Sequence, residues 1–313
     1  MRNKKKSRGL STLRLALPAT SANLGPAFDA AALAMDLYIT IEARPALSFS
    51  IKASGRDEEI CGAADLDQHL ILITYSETLN AQRKEIVPLA LRIRNDIPIG
   101  KGCGSSAAAR LAGVALANHF GRLRWSDAQI IGEASRRERH PDNASACWMG
   151  GLAIARMSGE AETQVVCIRP KGKWPLLLAI PDQALLTEEA RRALPAQYSR
   201  ADAVANIQNS MLLVAAFTQG RHDLIAAALE DRIHQPYRAP LCPLLPCLQN
   251  LMGRSGVLGV ALSGAGPSVL IFLDPKVPAA KTRKAVAAHL ARNGLRAELL
   301  STSIALRGAR HRA

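Results

Sequence analysis

Aromatic side chains are scarce in this chain of 313 residues: five Phe, four Tyr and three Trp, 4% in all. A core must therefore come mainly from Ala, Leu, Ile and Val, and the 48% hydrophobic content is that of an ordinary globular protein. No apolar run reaches the roughly 18 residues that span a bilayer. The basic start MRNKKKSRGLS lacks the apolar stretch of a secretory signal. A soluble, cytoplasmic protein with no membrane partner is expected. The six cysteines, Cys61, Cys103, Cys147, Cys167, Cys242 and Cys247, form no C-x-x-C pair and no regular spacing. That excludes the common zinc patterns and a disulfide framework. Acidic residues are also few, 26 against 40 basic ones, for a net charge of +14. Much of the excess sits at the ends, in Arg2, Lys4, Lys5, Lys6, Arg8 and Arg14, and in Arg307, Arg310 and Arg312. No RNA-binding aromatic signature or zinc-finger spacing accompanies them, so dedicated nucleic-acid binding is not expected. A basic interior would still suit an anionic substrate such as ATP.

Glycine, by contrast, is placed with a pattern. Ile97 to Ala109 reads I-P-I-G-K-G-C-G-S-S-A-A-A, with Gly100, Gly102 and Gly104 alternating before two serines and an alanine-rich run. Alternating glycines open backbone conformations closed to other residues, so consecutive N–H groups can turn toward an anion. A helix starting near Ser105 adds its positive end and its free N–H groups. No Gly-Lys-Ser/Thr closes the stretch, so it is not the familiar P-loop; alone, it is equally a glycine-rich turn before an ordinary helix. Cys103 reads as a small apolar filler.

Along the chain, Thr12 to Leu17 alternates as a half-buried strand and runs into a turn-rich segment, Pro18 to Asp29. Strands are predicted at Leu37 to Ala43, Ser48 to Lys52 and Leu89 to Arg94, with a loop over 54–67 and a helix over 68–82. A helix at Ser105 to His119 follows the glycine loop, and Ser126 caps another reaching about Arg139. Pro141 interrupts it, Asp142 or Asn143 can cap a new one, and a strand returns at Leu152 to Met157. The second half alternates strands (Leu176 to Ile180, Val257 to Leu262, Ser268 to Leu273, Ala297 to Ile304) with helices near Thr187 to Ala193, Ala201 to Gln219, Leu224 to Glu230 and Lys276 to Arg292. Pro236, Pro240, Pro243 and Pro246 make a proline-broken connection. The pattern is α+β. It divides into a basic disordered tail (1–11), a first domain (12–165), a second domain (166–305) and a basic tail (306–313).

Three ordered motifs then carry a resemblance: P-A-T-S-A-N-L-G-P-A-F-D from Pro18, P-I-G-K-G-C-G-S-S-A-A from Pro98, and L-S-G-A-G-P-S-V from Leu262. With them the chain resembles the GHMP kinase superfamily over nearly its whole length between the tails. H-P-D-N (His140 to Asn143), H-Q-P-Y-R (His234 to Arg238) and T-E-E-A-R (Thr187 to Arg191) resemble its homoserine kinases in particular. The resemblance implies the two-domain GHMP fold, a ribosomal S5 domain 2-like unit followed by a ferredoxin-like α/β unit. It implies ATP-dependent phosphorylation of the γ-hydroxyl of L-homoserine, with Mg²⁺ and, as in similar kinases, a homodimer. The alternatives are another GHMP kinase acting on mevalonate, shikimate or a sugar, or a non-catalytic nucleotide- or amino-acid-binding protein.

The same resemblance assigns residues. Pro98, Ile99, Gly100, Lys101, Gly102, Cys103, Gly104, Ser105, Ser106, Ala107 and Ala108 would hold the ATP phosphates. Ser106 and Glu138 would hold Mg²⁺, as hard oxygen ligands. Asn23 and Asp29 would take the ammonium of homoserine, Arg191 and Arg238 its carboxylate, and His140 and Thr187 would complete the pocket. An arginine fork suits a carboxylate on physical grounds. Ser106, Glu138 and Asp29 would surround the reaction centre, Asp29 as a binder rather than a base, because pairing with a cation favours its charged form. His234 has no independent claim. The chain departs from the family at Ala27, a usual glycine that would be strained at positive φ, and at Cys103, a usual leucine. His69 replaces the usual Asn of the adenine-contacting segment, Arg139 stands where glycine is common, and Ser145-Ala146 replaces Ala-Pro.

Overall fold

The computed structural model describes residues 11–62, 66–159 and 162–312; apart from Ser11, the expected N-terminal tail lies outside them. In the first half the elements run β1 (Leu13–Asn23), β2 (Ala27–Pro45), β3 (Ser50–Gly55), α1 (Glu58–Cys61), α2 (Leu70–Ala81), β4 (Leu89–Asn95), α3 (Ser105–Phe120), α4 (Asp127–Glu138), α5 (Asp142–Met149), β5 (Leu152–Met157) and β6 (Thr163–Ile168). The second half continues with β7 (Pro175–Ile180), α6 (Thr187–Arg192), α7 (Arg200–Gln219), α8 (Ile225–Ala228), α9 (Gln235–Arg238), α10 (Leu244–Gln249), β8 (Val257–Leu262), β9 (Val269–Leu273), α11 (Ala279–Arg292), β10 (Glu298–Ser303) and β11 (Arg310–Arg312). None of the described helices is long and apolar enough to cross a membrane.

Two sheets organise these elements, giving the expected α+β pattern. The first runs β11-β1-β2-β4-β3, with β5 and β6 branching from β2. The 19-residue β2 makes this branching: Ala31 to Leu33 pair with β5, while Ile39 to Pro45 pair with β4. Helices α2 to α5 pack on one another in succession, and α3, α4 and α5 lie against this sheet. The second sheet, β10-β7-β9-β8, is antiparallel throughout, and α8, α10 and α11 cover it. The wholly apolar strands β7 and β9 are central, which is why they read as continuous hydrophobic runs.

Local chemistry explains several boundaries. Ser126 and Gln129 form a reciprocal capping box on α4, satisfying two end groups and contributing about 1 kcal/mol. Pro236 sits in the first turn of α9, where its missing N–H costs nothing. The proline-broken connection thus holds two short helices, α9 and α10.

Other expectations are corrected. Pro18 to Asp29 is mostly strand, with a tight turn only at Leu24 to Pro26, where Asn23, Leu24 and Gly25 take positive φ. Pro18 misled the reading because it sits at a register shift in the β1–β2 ladder, where a missing N–H is tolerated. The loop over 54–67 contains α1. Residues 306–313 are not simply a tail, since Arg310–Arg312 pair with Arg14 to Ala16 as an edge strand. The first sheet extends to Ile168, where β6 pairs along its length with β5.

Candidate active site

The glycine loop turns as its alternation predicts. Gly100, Gly102 and Gly104 have φ of 69°, 75° and 71°. Space is as restrictive as torsion. A Cβ on Gly102 would lie 2.2 Å from the Ser263 carbonyl oxygen, and one on Gly104 would lie 1.9 Å from Thr20 Oγ1. The loop is therefore pressed between β1 and the S-G-A-G-P turn that follows β8. Gly104 is the N-cap of α3 and offers no side chain to cap it, so the first-turn N–H groups are left for an anion. Cys103 is buried, and burial pushes its thiol up to about 12, which suits a filler and not a nucleophile.

Around this loop lies a cleft of about 130 Å³. Its walls include Asn23, Asp29, Gly100, Gly102, Cys103, Gly104, Ser105, Ser106, Ala107, Glu138, His140, Thr187, Arg191 and Arg238. Nearly every residue singled out above is there. Among the exceptions, Lys101 turns away, its Nζ donating to the Asp182 carbonyl. Ile99 and Ala108 line a neighbouring apolar cavity of about 550 Å³, which shares Gly100, Ser105 and Ser106 with the cleft. Pro98 is buried beneath the loop and lines neither. His69 also lines that cavity. Its Nε2 lies 3.2 Å from the Cys61 carbonyl, and its buried Nδ1 has no partner among the described residues.

Ser106 and Glu138, 32 residues apart, meet: Ser106 Oγ donates to Glu138 Oε1 at 2.7 Å. Arg110 Nε donates to the same oxygen at 2.6 Å. Two hard oxygens at that spacing suit neighbouring ligands of an octahedral ion, which stand roughly 2.9 Å apart when bonds are about 2.0–2.1 Å. Opposite them, Arg191 donates to both oxygens of Asp29, at 2.8 and 3.0 Å. Asn23 is spent partly on the backbone, donating to the Gly264 carbonyl and accepting from the Asp29 N–H, each at 2.9 Å. Arg238 is 1% exposed, and burial together with Arg191 lowers its pKa to about 10.

Four contributors escaped the sequence reading. Asp142, 1% exposed, accepts from His140 Nδ1 at 2.6 Å. Burial alone would lower the His140 pKa, but the Asp142 hydrogen bond and the charges of Asp142, Asp29 and Glu138 hold it above the ordinary value. Thr20 donates to Asn143 Oδ1 at 2.6 Å beside Gly104. The Phe28 ring lies under both guanidinium groups, 5.5 Å from Arg191 and 5.3 Å from Arg238. His234, set aside in the sequence, bonds to Arg238. Asp142 and Asn143 lie inside the H-P-D-N motif, and His234 and Arg238 stand four apart in H-Q-P-Y-R; the contacts of Thr20 and Phe28 join distant segments and leave no local signal. Ala27 is not among the positive-φ residues, so replacing glycine there costs no strain. Arg139 is, at 66°, which explains why glycine is common at its position.

The cleft therefore joins a glycine-rich turn at an open helix start to a serine–glutamate oxygen pair and to charged side chains of both signs. The GHMP kinases N terminal domain profile matches residues 70–151 and the GHMP kinases C terminal profile matches residues 213–292. Homoserine kinase from Solibacter usitatus is 43% identical over 84% of this chain and 86% of its own. The Synechococcus homoserine kinase is 36% identical over 92% and 95%. The crystal structure of homoserine kinase from Cytophaga hutchinsonii superposes with a TM-score of 0.79 at 23% identity, covering 96% of this chain and 97% of that one, and so agrees in fold. The chain belongs to the GHMP kinase family, among its homoserine kinases.

Proposed function

We propose that this protein transfers the γ-phosphoryl group of ATP to the γ-hydroxyl of L-homoserine, in the cleft between α3 and α6. One observation carries the reading: the uncapped start of α3 opens on the same 130 Å³ cleft as Asp29, Arg191 and Arg238. Phosphoryl transfer asks a protein mainly to align reactants and neutralise oxygens. The N–H groups of the glycine loop and of the first turn of α3 would hold the phosphates. The adjoining apolar cavity, lined by Ile97, Ile99, Leu70 and His69, is placed for the nucleoside. Ser106 and Glu138 are the residues that would hold Mg²⁺, which when bound neutralises phosphate charge.

On the acceptor side, the zwitterion of homoserine meets charges of both signs. Asp29 attracts the ammonium, while Arg191 and Arg238 orient the carboxylate. Asp29 is clasped by Arg191, which fixes its carboxylate as an anchor beside the acceptor. The hydroxyl proton would then leave on the transferred phosphate. A coupled ADP-release assay across homoserine, mevalonate, shikimate and galactose tests the reading. Release that depends on homoserine alone supports it, and release driven by any other alcohol overturns the substrate assignment.

A further inference from the structure

We propose that His234 is a positioning residue: a neutral imidazole that aims the Arg238 guanidinium at the substrate carboxylate. The inference rests on the amino-acid reading of the cleft given above. His234 is wholly buried, on the turn before α9, and its two ring nitrogens face different partners. Nε2 lies 2.8 Å from the Gly25 carbonyl, in the β1–β2 turn. Nδ1 lies 3.2 Å from Arg238 Nη1. A carbonyl can only accept and a guanidinium can only donate. The ring must therefore carry its proton on Nε2 and present a bare lone pair at Nδ1. Burial points the same way, lowering the His234 pKa to about 4.

That lone pair is one of few restraints on Arg238. Nε donates to the Ala190 carbonyl at 3.1 Å, and Nη1 reaches the Gly264 carbonyl only at 3.4 Å. Nη2 makes no hydrogen bond among the described residues, although Arg238 lines the cleft. Phe28 completes the brace, its ring 5.3 Å from both the His234 ring and the Arg238 guanidinium carbon. The face of an aromatic ring attracts a cation without fixing its rotation. A directional acceptor at Nη1 supplies the missing constraint, so that Nη2 faces the ligand. Asp231 holds the brace in turn, accepting from the N–H groups of Ile233, His234 and Gln235 at 2.8, 3.0 and 2.6 Å.

The test compares L-homoserine with 3-aminopropan-1-ol, the same amino alcohol without the carboxylate, on wild type, H234L and H234Q. Leucine removes the acceptor; glutamine can restore one through Oε1. H234L is expected to lose on the order of ten- to a hundredfold in kcat/KM on homoserine, the scale of a charged hydrogen bond. It should lose far less on 3-aminopropan-1-ol and keep its KM for ATP, so the preference for the carboxylate collapses, and H234Q recovers most of it. Equal losses on both alcohols, or a preserved preference, overturn the brace. If H234L fails to fold, ¹⁵N spectra of the wild-type imidazole at neutral pH decide: a ring protonated at Nδ1 overturns the proposal, and a neutral Nε2–H ring supports it. A wild type that phosphorylates neither alcohol overturns the reading of the cleft and the brace with it. One that prefers homoserine while H234L keeps that preference overturns the brace alone.

Discussion

Arg191 and Asp29, 162 residues apart, hold one another through Nη1 and Nη2 of the guanidinium and both carboxylate oxygens, at 2.8 to 3.0 Å. The pair is partly exposed, 38% and 30%, so by itself it adds little to stability, about 0–1 kcal/mol. Its value lies in placing a cation and an anion side by side where an amino acid would bring the opposite pair.

Replacing Arg191 should therefore affect binding more than folding. R191A is expected to raise the KM for homoserine about ten- to a hundredfold with a thermal midpoint close to wild type. R191K should recover only part of the loss, because a point charge cannot reproduce the planar fork. Steady-state kinetics on both variants check this, and an unchanged KM would remove Arg191 from the substrate pocket.

Glu138→Gln keeps the shape of the side chain but removes the charge shared by Ser106 and Arg110. Turnover is expected to fall on the order of a hundredfold, with a higher Mg²⁺ requirement and an unchanged circular dichroism spectrum. A variant with normal turnover and normal Mg²⁺ dependence would show that the hard-oxygen pair has another purpose.

Two glycines with nearly the same φ separate torsion from crowding. Gly104 and Gly253 have φ of 71° and 73°, but a Cβ on Gly253 would meet nothing within 4 Å. G253A should cost about 1 kcal/mol from torsion alone. G104A must also displace Thr20, and should cost several times more while abolishing nucleotide binding. Chemical denaturation and calorimetric titration with ATP measure the two effects. Conversely, Arg139→Gly should stabilise the protein by roughly 0.5–1 kcal/mol, since the exposed Arg139 carries its left-handed backbone without compensation.

His234 also predicts a pH dependence of stability. With its pKa lowered from 6.5 to about 4 in the folded chain, the unfolded chain takes up a proton first as pH falls. The contribution is fully present above about pH 6.5 and is lost as pH falls toward 4. The raised His140 pKa works in the opposite direction, present below 6.5 and lost as pH rises through its folded value. Denaturation curves of wild type and H234Q between pH 4 and 7 isolate the first effect. The difference between them should shrink as the acid end is approached, and a pH-independent difference would contradict it.

What could be read in the residues was what local geometry dictates. Gly100, Gly102 and Gly104 announce positive φ by their alternation, and Ser126 announces a helix start by its place before an amphipathic run. Glu138 and Ser106 could be paired only through resemblance, since nothing in their spacing says that α3 and α4 lie side by side. Thr20 and Asn143, 123 residues apart, are beyond any periodicity. Proline, serine and asparagine in Pro18 to Asn23 favour turns locally, but the burial of Ala19, Thr20, Ser21 and Ala22 overrides that preference and keeps the segment in a sheet. His234 has no independent claim in the sequence, although it stands four residues before Arg238; the bearing of its ring on that guanidinium follows from the burial of both.

The pairing of Arg14 with Arg312 lays β11 beside the start of β1, one strand-width or about 5 Å away. A short linker from residue 312 to residue 11, with a new opening cut at the exposed Gly159 after β5, would give a circular permutant that keeps the cleft and changes only the order in which its walls leave the ribosome.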